Sequence, residues 1–190
     1  LNNASHLTPN KQNRAKSRKQ IVSIASFNER FDFNLLEKLA SLLPEYGFHL
    51  YGWILNNSPD IQQAMGRLTN NHHNIVYHGP YTNSQLDLIL YEYDIGLLPY
   101  IEKHILTRYI NPDKLYHYLC KGLEVVSTPI PQALEMQEHL HLASNATEFA
   151  DKIKTIHEQR INRNNNSFHL THNWNLRMNE FLKHICQPAQ

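Results

Sequence analysis

Residues 100–131 read YIEKHILTRYINPDKLYHYLCKGLEVVSTPIP, and the order of elements within them decides the fold. Pro112 stands where a first helical residue tolerates proline, because the N–H at that position has no intrahelical partner. Asn111 before it is a natural N-cap, so the pattern predicts a helix over Pro112–Lys121. Tyr116, Tyr118 and Leu119 fall where packing against a sheet is expected. Glu124–Thr128 follows as a strand, and its Val125–Val126 core is apolar without alternation, as in strands covered on both faces. A short helix is expected after Pro131.

Working outward, the same alternation runs along most of the chain. Strands are predicted at Ile21–Ser26, Phe48–Ile54, Asn74–His78 and Ile95–Pro99, with a weaker one near His139–Ala143. Helices are predicted at Phe33–Leu43, Asp60–Leu68, Ser84–Tyr91, Thr147–Gln159 (Thr147 as N-cap) and Trp174–Ile185. Phe33, Leu36, Leu39, Ala40 and Leu43 recur at three- and four-residue spacing, the stripe of a helix laid on a sheet. Strands separated by helical crossovers imply a parallel sheet wound right-handedly. The expected fold is a three-layer, Rossmann-like α/β domain with about six parallel strands. Residues 1–20, rich in Lys, Arg, Asn and Gln, read as a linker or arm; 21–167 form the domain; 168–190 form a C-terminal helix packing on it or toward a domain outside this chain. Arg160–Ser167 is Asn-rich and reads as a loop.

Composition narrows the function. The 190 residues carry a formal charge of +1, which argues against a general nucleic-acid binder. Two cysteines make no disulfide framework and suit a reducing compartment. No apolar run reaches the roughly 18 residues of a membrane span. The chain starts at Leu1 without a charged-then-apolar leader and reads as a piece of a longer protein. Thirteen histidines invite a metal site, but His72–His73 cannot share a helix face. The strand pair His139 and His141 has no cysteine or carboxylate at zinc-like spacing, so none is expected. Ser26–Arg30 lacks the glycines of a dinucleotide turn, no P-loop is present, and the strand ends lack the acidic residues of a receiver domain.

Open parallel sheets bind ligands at the carboxyl ends of their strands. The segments to inspect are therefore Phe27–Asp32, Gly79–Asn83, Tyr100–Lys114 and Pro129–Gln132. The helix opening after Asn111 would direct free N–H groups and its positive dipole end into that crevice, a place for a diphosphate. Lys114 adds a cation in the first turn, His117 lies one turn on along the same side, and Arg108 offers a second phosphate contact.

NPDKLYHYLCKGLEVVSTPIP resembles the NPxKLYEYLAxGKPVVSTPxP stretch in the C-terminal, donor-binding domain of bacterial glycosyltransferases with the GT-B fold. ASFNERFDFNLLEKLASLLPEYGFHLYG is similar to that domain's first β-α-β, NIVYHGPYTNSQLDLILYEYDIGLLPY to its third, and NWNLRMNEFLKHI to its terminal helix. LNNAS resembles the end of its interdomain linker. The matches are colinear over nearly the whole chain. The resemblance implies a nucleobase near Gly79, Pro80 and Tyr81, a diphosphate on Asn111, Pro112, Asp113, Lys114 and Arg108, and ribose at His117. The donor sugar would lie near Asn28, Glu29, Arg30 and Tyr100. Many retaining members carry two glutamates eight positions apart; here those positions hold Tyr109 and His117, which leaves stereochemistry open.

The function so implied is to hold a UDP- or GDP-linked sugar for transfer to a glycan or lipid-linked acceptor in polysaccharide biosynthesis. No metal is expected, because the helix end and basic residues neutralise the leaving group. The acceptor site and catalytic base would belong to a preceding N-terminal domain, in the cytoplasm or peripherally at the inner membrane face, and this part alone would be inactive. An alternative is a non-catalytic interaction or regulatory α/β domain that kept the fold and lost the donor site.

Overall fold

The computed structural model describes residues 4–7, 19–159 and 168–185. Lys11, Arg14, Lys16 and Arg18, the loop expected over 160–167, and Cys186 lie outside them. In chain order the elements are β1 (Gln20–Ile24), α1 (Phe33–Leu42), β2 (Gly47–Tyr51), α2 (Pro59–Asn71), β3 (Ile75–Gly79), α3 (Asn83–Tyr91), β4 (Ile95–Leu98) and α4 (Asp113–Lys121). There follow β5 (Glu124–Ser127), α5 (Pro131–Glu135), β6 (His141–Leu142), α6 (Ala146–Gln159), α7 (Phe168–Thr171) and α8 (Trp174–Ile185). Short 3-10 turns occupy Leu55–Asn57 and Ile105–Tyr109.

The strands form one six-stranded sheet in the order β3-β2-β1-β4-β5-β6, and every pairing is parallel. Alternation along β1 sends Ile21 to one face and Val22 and Ile24 to the other. On the first face Leu36, Leu39, Phe149 and Ile153 from α1 and α6 are fully buried. On the second, Leu86, Leu115, Leu119 and Phe168 bring α3, α4 and α7 down onto the sheet. Strand order reverses between β1 and β4, so their carboxyl ends flank the crevice where such sheets take ligands. No helix among the described residues is long and apolar enough to cross a membrane.

Three local expectations are corrected. β2 stops at Tyr51 rather than running to Ile54, because Gly52 turns to φ 142° with its Cα pressed on the Ala25 carbonyl; a Cβ there would lie 1.7 Å from that oxygen. Pairing resumes only as an isolated bridge between Phe27 and Ile54. Helix α4 starts at Asp113, with Pro112 as the extended N-cap at ψ 119° and no side-chain cap bond. Asn111 is not that cap; its side chain interacts with the Tyr116 phenol instead. Asn145, not Thr147, caps α6: its Oδ1 accepts the Glu148 N–H at 3.0 Å while the Glu148 carboxylate accepts the Ser144 N–H at 2.7 Å.

What sets the height of α4 over the sheet is Tyr118. Its side chain is fully buried, its ring lies flat against Gly96 on β4, and its phenol oxygen accepts the Ile24 N–H at 2.6 Å. A Cβ on residue 96 would approach the ring to 2.6 Å. Lys121, 3% exposed along its side chain, ties the far end of α4 to α3 through Asp87 at 2.7 Å. Tyr118→Phe, which strips a buried backbone N–H of its acceptor, is expected to cost about 1–3 kcal/mol in urea unfolding. Gly96→Ala is expected to cost a similar amount by overpacking.

Candidate functional site

Two loops meet over the β1/β4 switch point. The Asp32 N–H donates to the Pro99 carbonyl and the Ile101 N–H to the Arg30 carbonyl, both at 2.8 Å, around a bridge between Phe31 and Tyr100. Asn28 is buried and spends its Oδ1 inside the loop, accepting the Arg30 backbone N–H at 3.0 Å and its Nε–H at 3.3 Å. Glu29 is exposed. Burial pushes the Tyr100 phenol up to about 12, with Arg30 pulling it down and Asp113 pushing it further up. Arg30, Tyr100 and Asp113 therefore share one electrostatic neighbourhood.

Asp113 dominates the tip of α4. Its Oδ1 is 2.6 Å from Lys114 Nζ, and its carboxylate also takes the Lys114 backbone N–H. Burial would raise the Asp113 carboxyl, but the hydrogen bond and charge of Lys114 more than reverse this and hold it below the usual carboxylate value. The cation and helix-tip amide predicted for a diphosphate are thus engaged by the chain's own carboxylate. One turn further, His117 lies with Nε2 3.8 Å from Asp113 Oδ2 and Nδ1 2.8 Å from the Ser5 hydroxyl. Burial depresses its pKa to about 4, with Asp113 opposing and Lys114 and His6 reinforcing the shift, so the ring is neutral at pH 7.

A cleft of about 290 Å³ opens beside these groups, between the arm (His6), α3 (Asn83), the α4 tip (Asn111, Asp113, His117) and α8 (Trp174). Lys114, Arg108, Gly79, Pro80 and Tyr81 do not line it. Arg108 sits exposed on the 3-10 turn before α4. At the end of β3, Gly79 leaves open space where a Cβ would project; beyond it Pro80 is exposed, and the Tyr81 ring leans on Trp53 with centroids 5.6 Å apart. The Tyr81 phenol, raised to about 12 by burial and then by Asp113, faces the same tip. Among the described residues no three His, Cys, Asp or Glu side chains converge as metal ligands. His141 bonds Glu124 at 2.9 Å, while the His139 ring packs on Phe168.

Two contributors were not legible in the sequence, Ser5 on His117 and Trp53, half exposed after β2, and Asp113, expected at the diphosphate, has its carboxylate on Lys114. Only Asp113 had a local signal, being an acid beside a lysine in a helix's first turn.

No protein-family model matches the chain. Over 115 residues, 60% of this chain and 28% of the relative, it is 26% identical to TuaH of Bacillus subtilis (strain 168), which is named for a glycosyltransferase role in teichuronic acid biosynthesis. Among solved structures it superposes on Anabaena Alr3699/HepE in complex with UDP and glucose, with TM-score 0.71 at 16% identity, over 91% of this chain and 49% of that one. This is the fold of one half of a GT-B glycosyltransferase. Sucrose-phosphate synthase from Thermosynechococcus elongatus matches equally, with TM-score 0.71 at 14% identity over 96% of this chain and 51% of that one. The chain spans about half the length of these structures.

The depressed His117 pKa fixes a pH dependence. The unfolded chain binds a proton near 6.5 that the folded ring binds only near 4, so stability is complete above 6.5 and falls as pH drops through that window. At pH 4.5 this one residue is expected to cost about 2 kcal/mol in urea unfolding relative to pH 7. His117→Gln is expected to shrink the acid loss correspondingly.

Proposed function

We propose that this domain holds the donor of a glycosyltransferase, a nucleoside-diphosphate sugar, with the diphosphate at the opening of α4. The observation that carries the reading is the Asp113 carboxylate. An anion already rests on the Lys114 ammonium and backbone N–H at a helix N-terminus, the contacts a phosphate oxygen would take once Asp113 swings aside. His117 in the adjoining cleft suits a ribose hydroxyl. Trp53 and Tyr81, at the ends of β2 and β3, suit a base or sugar face. A neighbour solved with UDP and glucose supports UDP over GDP. Catalysis here consists of stabilising the departing diphosphate by fixed charge, with no metal required.

The division of the chain into an arm over 1–20, a binding domain over 21–167 and a C-terminal helix over 168–190 belongs to the same proposal. Exposed Met178, Phe181 and Leu182 on α8 suit cover by the remainder of a longer chain, whose N-terminal domain would bring a glycan or lipid-linked acceptor and the catalytic base. A protein of this kind would work in the cytoplasm, against the inner membrane face where the acceptor is a lipid.

Two observations favour the interaction-domain alternative. The tip cation is internally neutralised, and neither Tyr109 nor His117 supplies the glutamates of retaining relatives. Calorimetric titration with UDP and GDP separates the two. Donor binding predicts saturable 1:1 heat that disappears in Lys114→Ala and strengthens about tenfold in Asp113→Asn, where the competing anion is gone. Absence of binding by every nucleoside diphosphate, in both the wild type and Asp113→Asn, would leave the interaction domain.

A further inference from the structure

We propose that Ser5, on the arm preceding the sheet, is a positioning residue that fixes His117 in its Nε2–H form, so that the cleft presents a neutral N–H donor. A serine hydroxyl has one proton and two lone pairs. One lone pair of Ser5 Oγ accepts the Leu7 N–H at 3.1 Å. Around the same oxygen stand His117 Nδ1, at 2.8 Å, and the Cys120 thiol, which burial pushes up to about 12 and so keeps protonated. Sulfur is a weak acceptor and an unprotonated imidazole nitrogen a strong one, so the hydroxyl proton goes to Nδ1 and the thiol takes the remaining lone pair.

The other ring nitrogen requires the same answer. Nε2 lies 3.8 Å from Asp113 Oδ2; bare, it would set a lone pair against a carboxylate, whereas Nε2–H meets it favourably. The remaining charged or titratable neighbours, Lys114 on α4 and His6 on the arm, both oppose a positive ring and keep it neutral. Ser5 can hold this geometry because it does not move independently. It is fully buried, its N–H donates to the His172 carbonyl at 3.0 Å, and it bridges to Asn173 at the start of α8. The arm thus connects the α7–α8 corner to the cleft-lining face of α4. A ligand hydroxyl entering there would accept from His117 Nε2–H and donate to Asp113. That consequence rests on the donor reading above; the tautomer does not.

Long-range ¹H–¹⁵N NMR on the uniformly ¹⁵N-labelled chain reads the tautomer without any ligand. The expected result at pH 7 is a His117 ring with the proton on Nε2 and an unprotonated Nδ1. In Ser5→Ala the ring is expected to become a mixture of both forms, and Ser5→Thr, which keeps the hydroxyl, is expected to restore the wild-type pattern. Dispersed amide spectra establish that each variant is folded. UDP affinity is expected to fall about tenfold in Ser5→Ala, the worth of one hydrogen bond. A wild-type ring protonated at Nδ1 overturns the proposal, even if no variant folds. So does a folded Ser5→Ala whose ring is unchanged. Should the tautomer respond as stated while wild type binds no nucleotide, the positioning role stands and the donor reading falls.

Discussion

The contact on which the site depends is the flat packing of the Tyr118 ring on Gly96. With no Cβ on that residue, α4 approaches β4 closely enough for the phenol to reach the Ile24 N–H near the carboxyl end of β1. One side chain thereby ties a helix to both strands that flank the switch point. The opening of α4 follows from that anchor. Asp113, Lys114 and His117 lie within little more than one turn of Tyr118, so they inherit its height above the strand ends. A larger residue at 96 would lift the helix, and the charged tip would leave the crevice with it.

At that tip the chain arranges charge without leaving any of it uncompensated. Asp113 neutralises Lys114 and stands near His117, while burial keeps the imidazole uncharged. The Lys114 side chain is only partly exposed, and the neighbouring carboxylate offsets the cost of leaving its ammonium unpaired there. Under the proposed donor role, an incoming phosphate would have to displace this tethered carboxylate of the same charge. The paired loops after β1 and β4 add a constraint of their own. They close over the switch point through backbone bonds at Asp32 and Ile101, so the open cleft lies toward the arm, α3 and α4. A second polar aromatic group lies on β2 and β3, where His49 joins Gln20 to His78 and Tyr51 stacks on His78. Burial and then His78 lower the His49 pKa, so this group also favours neutral rings.

Much of the architecture was legible because it rests on short-range rules. Alternation of apolar strand cores with helical stripes named every strand and all but the shortest helix, α7, and the order of those elements implied the parallel, three-layer sheet. The boundaries that slipped did so for reasons beyond local pattern. Gly52 ended β2 because the Ala25 carbonyl, far away in sequence, presses against it. Asn111 gave up its capping role because the Tyr116 phenol lay within reach of its side chain. Asn145 capped α6 because Glu148 could complete the reciprocal pair.

The element order, the proline-marked helix opening within the fourth crossover, and the residues near it that can bear charge all follow from the sequence. Those properties depend on dihedral preferences and periodicities within a few positions of one another. The tertiary structure alone decided which partner each of those residues takes. Ser5 meets His117 across 112 positions, and Tyr118 meets Ile24 across 94. Lys114 pairs with its own neighbour, Asp113. Such pairings are outcomes of competition among groups that folding brings together, and burial strengthens whichever pairing wins by removing water as the alternative partner.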